Sequence, residues 1–269
     1  MVTQAELTFI GNATAILRLG GFTVLTDPNF LHEGERAYLG YGLFSKRLKE
    51  PAMRIEDLPA LDAVVLSHMH GDHWDRHARN GLPKQLPIVT TTHAAIRLRR
   101  REHFPAAVGL KTWKSHTLSK GGATLTVTAM PAVHSTNPLL KVMLPPVNGH
   151  LLELRDETGA VTTRVYLTGD TMLFDGLDEI GRRHPDIDTA VVHLGGTTLP
   201  GGFVVTMTGA DGVECLRRVA PRASVPVHYD DYGVFKSGLD DFRSAVDRAG
   251  LPVDIRYADR GATVPLTAG

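Results

Sequence analysis

The sequence predicts a mixed α/β fold, and three observations carry that expectation. Short apolar runs recur along the 269 residues, several of them leading into loops that carry histidine or aspartate. Glycine pairs and polar turns separate runs of alternating character, as in β-hairpins. Two segments with helical spacing of apolar residues close the chain.

Leu7 to Ile10, Ala15 to Leu19 and Thr23 to Thr26 read as three strands, with Gly20-Gly21 turning between the last two. Residues 28–60 show little periodicity. Loops of that length inside a compact domain usually carry function, so a lid over a site and a packed insertion are both open readings. LDAVVL, at 61–66, is a buried strand. Ile88 to Thr91 follows as strand and Ala94 to Glu102 as helix. Near Gly121-Gly122 a second half begins, and Leu125 to Met130 alternates as a half-buried strand does. Leu151 to Leu154 and Val161 to Leu167 form a hairpin around Glu157-Thr158-Gly159, and Ala190 to Leu194 is buried again. GGTTLPGGF, at 195–203, reads as a loop. Thr208 and Asp211 form a capping box, with Asp in place of the usual Glu or Gln. The helix behind it sets Val213, Leu216 and Val219 on one face and stops at Pro221. A last helix starts near Ser237, buries Leu239, Phe242, Val246 and Ala249, and ends at Gly250. With no tandem repeat or low-complexity linker, residues 1–269 are expected to form one domain.

Composition removes several function classes. Hydrophobic residues make up 42% and charged residues 22%, ordinary for a soluble globular chain. The 29 basic residues match the 29 acidic ones, so there is no basic surplus to draw nucleic acid. Cys215 is the single cysteine, which excludes an intrachain disulfide and a Cys-rich zinc site. MVTQAELTFIGNA lacks a basic region followed by an apolar core, and no apolar run approaches the length of about 18 residues that spans a membrane. The expectation is a cytoplasmic protein with a small-molecule partner, open to homo-oligomer formation.

The chemistry concentrates in SHMHGDHWD, at 67–75, where the strand 61–66 delivers His68, His70, Asp72 and His73. Imidazole and carboxylate are the ligands that zinc, manganese and iron prefer, and Gly71 is expected to permit the tight turn. Three later residues stand at strand ends in order: His134 in PAVHS, Asp170 in TGDT and His228 in PVHYDDY. His193 also ends a strand and is open to a contact with substrate, support behind the ligands or simple burial. Asp27, in TDP, is divided between supporting the pocket and forming a turn. Tyr229, Tyr232, Trp74 and Trp113 are expected to pack. Arg97, Arg99, Arg100 and Arg101 are expected on a solvated helix face. His32, His77, His93, His103, His116, His150 and His184 sit in loops or polar contexts. Pro138 to Val147 is unusually apolar, suiting core, an oligomer contact or an acyl-accepting pocket.

These motifs, with TDP at Thr26-Asp27-Pro28, resemble the metallo-β-lactamase superfamily across most of the chain. GNATAILRLGGFTVLTDP, SHMHGDHWD, TGDT and PVHYDDY look like the branch that holds ascorbate-6-phosphate lactonase and N-acyl-phosphatidylethanolamine phospholipase D. The resemblance implies a four-layer αβ/βα sandwich. It also implies two divalent metal ions, zinc first, with manganese and iron as alternatives. One ion would be held by His68, His70 and His134 and the other by Asp72, His73 and His228, with Asp170 bridging. The implied activity is that of a hydrolase in which metal-bound hydroxide attacks a small ester-type substrate, lactone or phosphodiester, with Asp72 assisting proton transfer. The absence of a cysteine ligand separates the chain from the familiar β-lactamases. A nuclease and a non-catalytic binding module are the alternatives. Charge neutrality weighs against the first, and the filling of all seven ligand positions weighs against the second.

Overall fold

In a computed structural model, residues 5–267 are described. Residues 1–4, part of the stretch read as lacking a leader, lie outside the described residues, as does the end of the expected 1–269 domain at 268–269. Two seven-stranded sheets dominate. The first runs in the order Thr263–Pro265, Ala5–Gly11, Thr14–Leu19, Phe22–Thr26, Ala63–Val65, Ile88–Thr91 and Ala107–Leu110. The second runs Asp254–Ile255, Ala223–Val227, Thr189–His193, Val161–Leu167, Gly149–Arg155, Ala123–Met130 and Ser115–Lys120. Each is antiparallel in its hairpin half and parallel in the other, where helices provide the crossovers except between Phe22–Thr26 and Ala63–Val65, which the excursion 28–60 joins.

Side-chain alternation builds the layers. Leu7, Leu17, Val24 and Val65 of the first sheet share one core with Val127, Leu152, Val165 and Val225 of the second. Ile16, Leu25, Val64 and Ile88 point the other way and pack on Ala78 and Leu98 of the helices Arg76–Gly81 and Thr92–Arg101. The helices Gly176–Arg183, Gly209–Val219 and Leu239–Ala249 join the core of the second sheet through Ile180, Leu216 and Phe242. The result is the αβ/βα sandwich. The inner parallel strands Ala63–Val65, Ile88–Thr91, Thr189–His193 and Ala223–Val227 are buried along their whole length, which is why they read as apolar runs. The capping box forms as read, with Thr208 Oγ1 accepting from Asp211 N at 3.2 Å and Asp211 Oδ2 from Thr208 N at 3.0 Å.

Several expectations need correction. The stretch 195–203 is not a loop throughout: Gly195–Leu199 is a strand that pairs with Phe235–Ser237 and with Phe203–Val204. Gly195, at φ +98°, is required there because a Cβ would lie 2.6 Å from the His228 carbonyl oxygen. The excursion 28–60 contains a hairpin, Arg36–Gly40 with Leu43–Lys46. The second sheet begins at the edge strand Ser115–Lys120, whose mixed burial gave no periodic signal. Of the apolar segment Pro138 to Val147, the short helix Pro138–Met143 is not core, with Leu139 and Val142 68% and 85% exposed, whereas Leu144 and Val147 behind it are buried. His150 lies in a strand and is buried, not in a polar loop.

Candidate metal centre

Four strand ends converge at one edge of the two sheets, and the loops leaving them bring all seven predicted residues together. His68, His70 and His134 form one group. Asp72, His73, Asp170 and His228 form a second, and within each the candidate ligand atoms lie within 4.8 Å of one another. All seven side chains are buried. In the first group His70 Nδ1 lies 2.9 Å from His68 Nε2 and 3.2 Å from His134 Nε2. In the second, His73 Nε2 lies 3.2 Å from both His228 Nε2 and Asp170 Oδ2. Asp170 Oδ2 is also 4.0 Å from His68 Nε2, so this carboxylate stands between the groups.

The imidazoles are oriented from behind. His134 Nδ1 lies 3.1 Å from the Val205 carbonyl oxygen and His228 Nδ1 lies 3.1 Å from that of Leu194. A carbonyl only accepts, so both rings donate through Nδ1 and turn the Nε2 lone pair inward. His73 Nδ1 is held in the same way by Asp27 Oδ2 at 3.1 Å. Asp27 also accepts from Ser67 N at 2.6 Å and Ser67 Oγ at 2.9 Å, and Ser67 Oγ lies 2.9 Å from His68 Nδ1. Asp27 therefore supports the pocket, at a bend where its φ is +34°. His193 stands behind it, with Nε2 3.4 Å from Asp27 Oδ2 and Nδ1 3.2 Å from Thr168 Oγ1.

The electrostatics suit cations. Burial, with the neighbouring imidazoles, holds His68 well below the ordinary histidine value and brings His70 down to about 3. Burial also lowers His134. Burial opposes protonation of His73 and His228, but the Asp170 carboxylate heads the charges that raise both. Burial raises Asp72 and Asp170, and the charges of His73 and His228 more than offset it, leaving both acids below their ordinary range. Among the described residues His70 Nε2, Asp72 Oδ1 and Asp170 Oδ1 are buried polar atoms with no hydrogen-bond partner. Inward-facing imidazole nitrogens, with His70 turned in through Nδ1, ionised carboxylates and the unpartnered Asp170 Oδ1 are what divalent ions would satisfy, so the residues fit the group.

Sequence reasoning missed the layer that holds the ligand loops. Asn12, buried at φ 53°, donates through Nδ2 to the Asp72 carbonyl oxygen at 2.6 Å and accepts at its own carbonyl from His228 N at 2.9 Å. Asn12 N donates to Asp231 Oδ2 at 2.7 Å, and the fully buried Arg47 donates to Asp231 Oδ1 at 3.0 Å. Arg47 also reaches Asn29 Oδ1 at 2.6 Å, and Asn29 Nδ2 donates to the Gly71 carbonyl at 3.1 Å. The excursion 28–60 is thus a packed part of the centre as well as a wall beside it. Its hairpin explains Gly71, whose φ is not positive. A Cβ there would lie 2.7 Å from Tyr38 N, so glycine serves close approach and not the turn.

The remaining candidates take quieter roles. Tyr232 is buried and donates to Asn29 Oδ1 at 2.9 Å, and Tyr229 packs against Phe9. Trp74 donates to Glu102 Oε2 at 2.5 Å, and Trp113 stacks with His184. Arg97 pairs with Glu102 at 3.0 Å and Arg99 donates to the Ala107 carbonyl at 2.8 Å.

Residues 23–229 match the family model of the beta-lactamase superfamily domain. A metal-dependent hydrolase of Archaeoglobus fulgidus is 27% identical over 93% of this chain and 94% of its own. N-acyl-phosphatidylethanolamine-hydrolyzing phospholipase D 1 of Caenorhabditis elegans is 28% identical over 84% of this chain and 64% of its own. Among solved structures, an isothiocyanate hydrolase from Delia radicum gut bacteria shares the fold with a TM-score of 0.80 at 23% identity, over 96% of this chain and 98% of its own.

Proposed function

The chain belongs to the beta-lactamase superfamily and is a metal-dependent hydrolase, and from that premise we propose that it holds two divalent cations and cleaves a small ester-type substrate. His68, His70 and His134 would hold one ion and Asp72, His73 and His228 the other, with Asp170 shared. Zinc suits the mixed imidazole and carboxylate set best, with manganese and iron as alternatives. When bound, such ions lower the pKa of water towards about 7 and stabilise negative charge building on a substrate oxygen.

The chain's own residues supply the rest. Val205 O, Leu194 O and Asp27 fix the tautomers of His134, His228 and His73, so three lone pairs face inward without reorganisation. That orientation is the observation which carries the reading. Asp72 Oδ1, buried and without a hydrogen-bond partner, is the atom that would take a proton during turnover. The likeness to the phospholipase D favours a phosphodiester over a lactone.

Hydrolysis of an aryl phosphodiester and a simple lactone by the zinc-loaded chain tests the reading. Turnover of the phosphodiester that a chelator abolishes and added metal restores is expected, with Asp170→Asn inactive. Chelator-resistant turnover, or full activity of Asp170→Asn, would overturn it.

A further inference from the structure

A cavity of about 610 Å³ opens beside the first ligand group, with His70 in its wall. Tyr38, Tyr41 and Phe44 of the hairpin line one side, and Val142, Met143 and Leu144, in and just after the short helix, also face it. Tyr41 Oη joins the two walls by donating to the Met143 carbonyl at 2.8 Å. Tyr41, Phe44 and Val142 are 64%, 57% and 85% exposed, and large apolar side chains left open around a cleft mark a binding surface.

The same cavity is lined by Arg36, Arg76 and Arg97 against a single acid, Asp75. Asp75 is committed elsewhere: it accepts from Phe30 N at 2.5 Å and Ala78 N at 2.8 Å, and burial raises its pKa despite those bonds. Arg76 pairs with Glu35 and Arg97 with Glu102, whereas Arg36 has no ion-pair partner among the described residues. Arg36 is therefore the arginine of the lining left to meet a ligand's charge, and a cleft walled by low-dielectric side chains concentrates its field.

We propose that this cavity is the substrate cleft of the hydrolase and that it selects a small amphiphilic anion. The apolar body of the ligand lies between the hairpin and the short helix, and its negative charge is met by the arginines, Arg36 foremost. The volume lies within the range of about 300–1,000 Å³ that encloses a drug-sized ligand, so the occupant is a single small molecule and not a bilayer surface. This rests on the reading of the seven residues as a hydrolytic centre, since His70 joins centre and cleft.

Calorimetric binding of octane-1-sulfonate, an amphiphilic anion without a hydrolysable bond, to the zinc-loaded full-length chain tests the inference. It is expected to bind at least about tenfold more tightly than methanesulfonate or octanol, because each supplies one half of the recognition. Arg36→Gln should weaken it several-fold without changing octanol binding. Phe44→Ser combined with Val142→Ser should bring it down to the level of methanesulfonate. All three positions are exposed, so folding is spared. Equal affinity for octane-1-sulfonate and methanesulfonate would overturn the inference, as would unchanged affinity in both variants. Displacement by phosphatidylglycerol vesicles at equal anion concentration would overturn the small-molecule assignment. Tight, variant-sensitive binding without turnover of any ester would keep the cleft and sink the hydrolytic reading. Turnover without such binding would do the reverse.

Discussion

At the residue scale, the seven candidate ligands were legible in the sequence for a chemical reason. Few side chains bind divalent metals, so His68, His70, Asp72 and His73 stand out within one short motif, and His134, Asp170 and His228 stand out at strand ends. Asn12 and Asp231 were not legible. Asn12 works through backbone and carboxylate partners 60 to 219 residues away, and Asp231 works through Asn12 N and the buried or half-buried arginines Arg47 and Arg260, pairings no local pattern announces. His150 was read as one of several polar-context histidines, although it alternates into the core of its strand. Its Nε2 is buried without a hydrogen-bond partner, and burial brings its pKa from 6.5 down to about 4. A histidine whose folded value lies below its unfolded value opposes folding wherever the unfolded chain is protonated and the folded chain is not. Stability should therefore fall as pH drops from 6.5 towards 4 and gain no further loss from this residue below that. The gap corresponds to about 3 kcal/mol. Chemical unfolding of His150→Leu at pH 7 and pH 4.5 should show a smaller acid loss than the native chain. Parallel losses would contradict the assignment.

Elements were legible where burial is periodic and obscure where tertiary contacts decide. Phe22–Thr26, Ile88–Thr91 and the capped helix Gly209–Val219 follow from alternation, apolar runs and a Thr/Asp box. Gly195–Leu199 does not: its glycines read as loop, and pairing with Phe235–Ser237 and Phe203–Val204 makes it a strand. The hairpin within 28–60 is anchored from outside, by Tyr38 O on Gly71 N and by Arg47 on Asp231. Arg47→Met should leave the Asp231 carboxylate short of one buried partner. Removing one member of a buried ion pair costs about 3–5 kcal/mol. Arg260, 3.1 Å from Asp231, offsets part of that, so a loss near about 3 kcal/mol in chemical unfolding is expected. A loss below about 1 kcal/mol would show that Arg260 alone holds the carboxylate.

At the scale of the whole molecule, the two sheets repeat one scheme, antiparallel hairpins followed by parallel strands, without a matching repeat in the sequence. Composition and periodicity reach only mixed α/β, because two sheets can pack in many ways on the same alternation. Resemblance of the ligand motifs supplied the sandwich. The architecture then explains the centre: strand ends from both sheets open at one edge, and each sheet contributes ligands that neither could assemble alone. The central claim is that this edge holds two metal ions. Bound zinc per chain, measured by elemental analysis after titration of the metal-free protein and gel filtration, tests it most directly. The account predicts a plateau at two ions per chain. A plateau at one, or none retained, would contradict it.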